Sequence, residues 1–489
     1  MGVENLSELP PREIKDIDII QGGMGIGVSW YKLAGAVAAE GAMGVISGTV
    51  IGPVLARRLQ EGDPNGLMRE ALKAFPDQEI SGRIIERYYS EEGHKDNSPY
   101  KSVPMFNIDS SGYALELNMV GAFVEVWLAK HIASEKSKNP GPIGMNLLTK
   151  LQAPTLSALY GAMLAGVDCI IMGAGIPHDI PEQLNNLVLG KEARLRFDVT
   201  GSKQNHYITF NPENYPNLLN KVYHEKLKRP TFLAIVASNT LAKRLSNKDC
   251  PPNGFIIEGP TAGGHNAPPR NKVNYGDRDI VDIDEIAELE RPFWLAGGYD
   301  HPQKVEEAKK KGANGVQVGT AFAICEDSGI SPQLKKKIIE EIMNDGIEVV
   351  TDMLASPTGF PFKVVQLSGT ISESDVLKNR QKVCDLGFLR EAYVSGISED
   401  GKEIINYRCA SEPEKDYIKK GGNLEDTVGR TCLCNALMAT IELGQTHHGK
   451  KEDPIVTAGD TLNDITRRLV SIYGKDISAK DVVMYLRGN

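Results

Sequence analysis

The sequence contains no apolar run that reaches the roughly 18 residues a bilayer-spanning helix needs. Its opening, MGVENLSELPPREIKDID, has no apolar core of the kind a secretory signal carries. Gly2 invites N-myristoylation, but Leu6 stands where that motif wants Ser or Thr. A basic surplus is missing as well. Lys and Arg total 55 against 64 Asp and Glu, a net charge of −9 with a pI near 5.6. That balance excludes a nucleic-acid-binding surface spread over the whole protein. Cysteine is scarce, and its count of seven is odd, which disfavours a disulfide framework. These absences lead us to expect a cytoplasmic protein acting on a small molecule, with neither nucleic acid nor membrane as partner.

What is present suits a globular chain: 489 residues, 41% hydrophobic and 24% charged, enough for a large barrel with insertions or for two to three average domains. The densest pattern lies at 292–322. PFWLAGG is a continuous apolar run closed by Gly297 and Gly298, as a buried parallel strand would be. His301–Lys311 reads as a surface helix stopped by Gly312, and GVQVGT returns as a second buried strand ending in Gly319 and Thr320. A single glycine turn would be only a tight connection. Two of them, one βα unit apart, leave backbone N–H groups free to approach an anion, usually a phosphate.

The same alternation runs through the chain. Strands are expected at IDIIQGG (17–23), GVISG (44–48), GPIGMNLL (141–148), VDCIIMGAG (167–175), TFLAIVAS (231–238) and GFIIE (254–258), before the two above. After the first strand a helix is expected, capped by Ser29. The glycines there are no dinucleotide fingerprint, because Val28 occupies the last glycine position. Eight βα repeats predict an α/β fold, a (β/α)8 TIM barrel over 1–345, with an open doubly wound sheet as the alternative. Two insertions interrupt it, at about 49–140 and 180–229, the second carrying a hairpin pattern. Residues 346–489 form a partly helical, cysteine-containing extension packed on the barrel or over its mouth. The insertions are also candidate surfaces for a homo-oligomer.

The motifs IIQGGMGIG, GPIGMNLL, CIIMGAGIP, IEGPTAGGHNAP and WLAGGYDHPQKVEEAKKKGANGVQVGTAF resemble, in order and spacing, the nitronate monooxygenase family, also called 2-nitropropane dioxygenases. They equally resemble the flavin-type enoyl-acyl carrier protein reductases. The resemblance implies an FMN-binding barrel. Gly22, Gly23 and Met24 match the turn lying against the flavin ring, and Asn146 the asparagine that contacts it. Gly297, Gly298, Gly319 and Thr320 match the phosphate turns, Gly264 lies in the histidine motif, and Ser238 after strand five could face the flavin. One departure is that GAGIPHDIPEQ lacks the lysine many members place after strand four.

His265 in TAGGH matches the family's general base, and an imidazole with its ordinary pKa near 6.5 suits removal of a nitroalkane α-proton. As a lone loop histidine it would only bond locally. Glu258, at the end of strand six, faces the same pocket or merely satisfies nearby amides, and His178 reads as a helix N-terminal polar residue. Cys384, Cys409, Cys432 and Cys434 offer four thiols for zinc or an iron–sulfur cluster. Against that, their spacing is irregular, lacks paired C-x-x-C knuckles, and equally fits four buried free cysteines. The expected activity is an FMN-dependent oxidation of alkyl nitronates or nitroalkanes by oxygen. The alternatives are an NAD(P)H-dependent enoyl-thioester reductase and a non-catalytic flavin-binding subunit.

Overall fold

The computed structural model describes residues 14–95, 97–110, 112–219, 227–271 and 275–489. The expectations for Gly2 and Leu6 fall outside these residues. Eight parallel strands build the centre: β1 (Ile19–Gln21), β2 (Gly44–Ser47), β3 (Ile143–Leu148), β4 (Cys169–Gly173), β5 (Thr231–Val236), β6 (Gly254–Glu258), β7 (Phe293–Ala296) and β8 (Gly315–Val318). They pair in the order β1-β8-β7-β6-β5-β4-β3-β2. The ring closes between β1 and Met43, just before β2. Ile20 bridges Met43 in parallel, with Gln21 N–H donating to Met43 O at 2.9 Å and Met43 N–H to Ile19 O at 3.0 Å. Closure rules out the open doubly wound sheet.

Two apolar layers explain why continuous apolar strands were needed. The inner layer fills the barrel with Ile20, Met43, Val45, Ile171, Leu233, Ile256 and Trp294. Trp294 is fully buried and donates its Nε1–H to Ile17 O at 2.7 Å, so its one polar group is satisfied at the floor of the barrel. The outer layer joins the other strand faces to the helices. Each such fully buried aliphatic side chain contributes about 1.5–3 kcal/mol through area removed from water.

The first insertion is helical: Ile51–Gln60, Leu67–Ala74, Gln78–Tyr88 and the long Gly112–Lys136. The long helix carries buried Glu125, which accepts from Tyr31 N–H at 2.8 Å and pairs with Arg58. Among the described residues no helix is long and apolar enough to cross a membrane. In the second insertion, Ala193–Phe197 and His206–Phe210 form the antiparallel hairpin that the alternation suggests. The chain between them, Val199–Thr200, pairs in parallel with Glu391–Ile397, joining this insertion to the C-terminal extension in one small sheet.

The extension reaches the mouth of the barrel. Its antiparallel pair Val349–Asp352 and Phe362–Val365 docks on the loop after β6. There Phe362 bridges His265, Lys363 N–H donates to Gly264 O at 2.9 Å and Asn266 N–H to Pro361 O at 3.0 Å. Further on, Val365 N–H bonds Val456 O at 3.0 Å, drawing the 455–461 segment over the same face. The tail ends in helices Leu462–Tyr473 and Ala479–Leu486.

Ser29 departs from its expected role. The helix Tyr31–Ala39 starts at Trp30 without a side-chain cap. The Ser29 hydroxyl instead donates to Gly22 O at 2.9 Å and accepts from Met24 N–H at 2.9 Å. It holds the turn after β1 in shape rather than starting the helix.

Candidate active site

The carboxyl ends of the strands open into a groove running across the barrel mouth. One lobe is lined by Gly23, Asn146, Glu258, Gly264, His265 and Gln317, with an apolar wall of Phe362, Phe388, Leu389, Leu433 and Leu437. The second lobe shares Gly23, Glu258, Gly264 and Gln317 and continues to Gly22, Met24, Gly297, Gly298, Gly319 and Thr320. Thus the residues expected to face a flavin ring and those expected at its phosphate line two adjoining pockets, contributed by β1, β3, β6, β7 and β8.

Close backbone approach explains the glycines. A Cβ on Gly23 would stand 2.3 Å from Asn146 Cβ, so no other residue lets the β1 turn lie against β3 there. Gly297 and Gly298 have φ of +85° and +75°, a conformation glycine adopts without strain. Among the described residues none lining this second lobe is Lys or Arg. An anion there would be held by amides and by the hydroxyls of Thr261 and Thr320. The two carboxyl groups present, Glu258 and Asp300, are both pushed upward by burial, and Asp300 accepts the Thr461 hydroxyl at 2.5 Å.

Two amide oxygens in the groove are buried without a partner among the described residues: Asn146 Oδ1 and Gln317 Oε1. Leaving a buried acceptor unpaired costs about 1–3 kcal/mol. Unpaired acceptors on residues that line a groove are what a planar ligand with N–H donors would satisfy. The residues present therefore fit a flavin: a glycine-lined slot, unpaired acceptors beside it, and a cradle of turns at one end.

His265 sits where β6 gives way to the loop, its Nε2 2.8 Å from Ser356 Oγ and its ring edge-on to Phe362. Burial, with Lys150 nearby, drives its pKa down to about 3. The ordinary value near 6.5 does not hold here: the imidazole is neutral throughout the physiological range. Burial raises the Glu258 carboxyl to about 7. Among the described residues this carboxyl has no hydrogen-bond or ion-pair partner, so it faces the groove rather than serving neighbouring amides.

Ser238 is committed elsewhere. Its hydroxyl caps the helix Asn239–Ser246, accepting from Leu241 N–H at 3.2 Å, and it lines a side chamber instead of the central groove. His178 is exposed and engages Ile176 O and Asp179, next to the start of the helix Ile180–Val188. The metal expectation at Cys384, Cys409, Cys432 and Cys434 gains no support from the arrangement of the described residues. All four are free thiols, burial raises each of their pKa values, and no group of three or more His, Cys, Asp or Glu among the described residues is arranged to hold a metal. Each of the four lies close enough to another for their charges to interact, Cys432 also sits against Arg380, and Cys434 lines the groove wall.

Sequence reasoning missed Lys150. The loop after β4 lacks a lysine, but the loop after β3 supplies one. Lys150 Nζ lies 3.9 Å from the centre of the Phe360 ring and donates to Thr358 Oγ1 at 3.4 Å. Burial lowers its pKa to about 7. Its place two residues past a predicted strand end was the available signal. The segment 457–461 was missed as well. Thr457 Oγ1 accepts from Gly264 N–H at 2.9 Å, and Asp460 N–H donates to Thr261 O at 3.0 Å.

Residues 177–402 match the family model described as nitronate monooxygenase. The resemblance is to nitronate monooxygenases. The probable nitronate monooxygenase of Bacillus subtilis (strain 168) is 30% identical over 119 residues, 24% of this chain and 34% of that protein. The putative nitronate monooxygenase of Saccharomyces cerevisiae is 27% identical over 125 residues, 22% and 31% of the two chains. The chain thus spans about a third of the length of these curated relatives. Among solved structures, FabK from Thermotoga maritima has a TM-score of 0.45 at 14% identity, covering 99% of this chain and 94% of that one. Nitroalkane oxidase from Streptomyces ansochromogenes has a TM-score of 0.46 at 12% identity, with coverage of 96% and 95%. The family match supports an oxidoreductase.

Proposed function

We propose that the protein is an FMN-dependent oxidoreductase of nitronate monooxygenase type, oxidising alkyl nitronates or nitroalkanes with molecular oxygen. The observation that carries this reading is the pair of adjoining pockets that brings together the glycine turns after β7 and β8, two unpaired amide acceptors and a neutral histidine. Gly22, Gly23, Met24, Asn146 and Gln317 would lie along the flavin ring, and Gly297, Gly298, Gly319 and Thr320 would hold the phosphate. Bound there, FMN would supply the electron acceptance and the reaction with oxygen. The chain's own part is to orient substrate and to move a proton. His265, neutral and with one ring nitrogen unpartnered among the described residues, would take the α-proton of a nitroalkane, and a preformed nitronate would need no base. The apolar wall of Phe388, Leu389, Leu433 and Leu437 excludes water from the carbanion.

The same wall favours one second reading. Its apolar surface suits an acyl chain, as an NAD(P)H-dependent enoyl-thioester reductase would require. Anaerobic flavin reduction separates the two. Bleaching of the FMN-reconstituted protein at about 450 nm by nitronate or nitroalkane, reversed by air, supports the monooxygenase, whereas bleaching by NAD(P)H moves the protein to the reductases. Failure to bind FMN at all would defeat both.

A further inference from the structure

A histidine as weakly basic as His265 can accept a proton but cannot keep it, so the proton needs a place to go. From His265 Nε2 an unbroken line of side chains leads away from the groove. Ser356 Oγ lies at 2.8 Å, Thr358 Oγ1 lies 2.8 Å beyond it, and Lys150 Nζ lies 3.4 Å further on. We propose that His265, Ser356, Thr358 and Lys150 form a proton relay connecting the groove to the outer pocket beside Lys150. This deepens the proposed function and rests on its placing of His265 at the reacting centre.

The line is built rather than incidental. Ser356 is fully buried, and its carbonyl is fixed by Arg430 Nη1 at 2.6 Å. Thr358 N–H donates to Ser356 Oγ at 3.3 Å, setting the two hydroxyls face to face. Lys150 lines an outer pocket together with His178, Asp179, Arg196 and Asp198, while Glu258 stands on the groove side of His265. His265 Nδ1 has no partner among the described residues and is the nitrogen available to a substrate.

In the relay each bond formed is matched by one broken. The substrate carbon releases its proton to Nδ1, and the electron pair stays on the nitronate. Nε2–H passes its proton to Ser356 Oγ, the Ser356 hydroxyl passes its own to Thr358, and Thr358 passes one to the neutral Lys150 amine. The end state is an ammonium at Lys150, which holds a proton that His265 cannot. With Lys150 already charged, every bond points the other way: the ammonium donates to Thr358, Thr358 to Ser356, and Ser356 to Nε2, leaving the imidazole proton on Nδ1.

This polarity is testable without any turnover. In protein carrying ¹⁵N-labelled histidine, with the His265 signals identified by their loss in His265→Gln, Nε2 should change from unprotonated to protonated as pH rises from about 6 to about 9, centred near the Lys150 value of about 7. Lys150→Arg, which keeps the charge but does not titrate, should hold the low-pH form throughout. Thr358→Val, which keeps the shape and removes the hydroxyl, should abolish the transition. An Nε2 signal that stays put in the unmodified protein, or a transition that survives Thr358→Val, would overturn the relay. In turnover, Ser356→Ala and Thr358→Val should slow bleaching by nitroalkane up to about 100-fold while leaving bleaching by preformed nitronate unchanged. Equal loss with both would mean the residues are only structural. A transition seen by NMR in a protein inert to both compounds would defeat the functional reading and leave the wire standing.

Discussion

Thr320, at the end of β8, accepts a hydrogen bond from the Gly459 amide at 2.9 Å, so the C-terminal extension is bonded directly to the turn assigned to phosphate. A Cβ on Gly459 would stand 2.7 Å from Thr261 O and 3.1 Å from Thr320 Oγ1. Gly459→Ala should therefore push the 457–461 segment off the cradle, at a cost of about 1–3 kcal/mol for overpacking. The expected outcome is weaker FMN binding in a fluorescence titration, with the barrel's circular dichroism retained. Unchanged affinity would mean that the extension covers the cradle without shaping it.

Gly23 makes a harder demand. Its missing Cβ leaves room for Asn146, whose side-chain N–H group points toward Gly23 O at 3.5 Å. Gly23→Ala should displace Asn146 and with it one of the two unpaired acceptors. FMN affinity and thermal stability should fall together, the latter by about 1–3 kcal/mol, and Asn146→Ala should lose affinity with a smaller thermal penalty.

Much of this was legible in the sequence, and the limits have a physical pattern. Strand cores such as FWLA and GVQV announce themselves because a parallel strand buried on both faces must be continuously apolar. Glycines 297, 298 and 319 were readable as turns at strand ends, where they line the second lobe, because backbone approach leaves a local signature. Lys150, Ser356 and Thr358 were not, because their juxtaposition comes from the extension folding back over β3 and β6, a pairing that no local period records. Ser29 misled for the opposite reason. A serine before a helix has a local role available, but here the Gly22 carbonyl and the Met24 amide claim its hydroxyl first. The helix Gln78–Tyr88 went unread although Asp77 accepts from both Glu79 and Ile80 N–H, as an N-cap residue does. Four cysteines close in sequence suggested a metal, but no group of three or more His, Cys, Asp or Glu among the described residues is arranged to hold one.

Buried ionic groups in the extension give a prediction about its own stability. Arg380 and Glu452 form an ion pair with side chains only 4% and 2% exposed. Glu452→Ala would leave the guanidinium buried without its carboxylate, at a cost of about 3–5 kcal/mol. Thermal unfolding should show a large drop in midpoint, and the double variant Arg380→Met, Glu452→Leu should recover most of it. A single variant as stable as the parent would mean that water reaches Arg380.

Glu258 provides the clearest pH signature. Burial raises its carboxyl to about 7 in the folded protein, against an ordinary 4.5. Between these values the folded state holds a proton that the unfolded chain has lost, so stability falls as pH rises through that window and levels off above it. At about 1.4 kcal/mol per pH unit the full effect is roughly 3 kcal/mol. Glu258→Gln cannot ionise and should lack this slope. Urea unfolding at about pH 5 and about pH 8 should find the variant close to the parent at the lower pH and more stable than it at the higher. Parallel pH profiles for the two proteins would mean that Glu258 is solvated in the groove and ionises at its ordinary value. In that case it would carry a full negative charge beside His265 at neutral pH. That charge would oppose the formation of an anionic nitronate in the same space, so the stability profile also bears on whether the groove can run the proposed reaction.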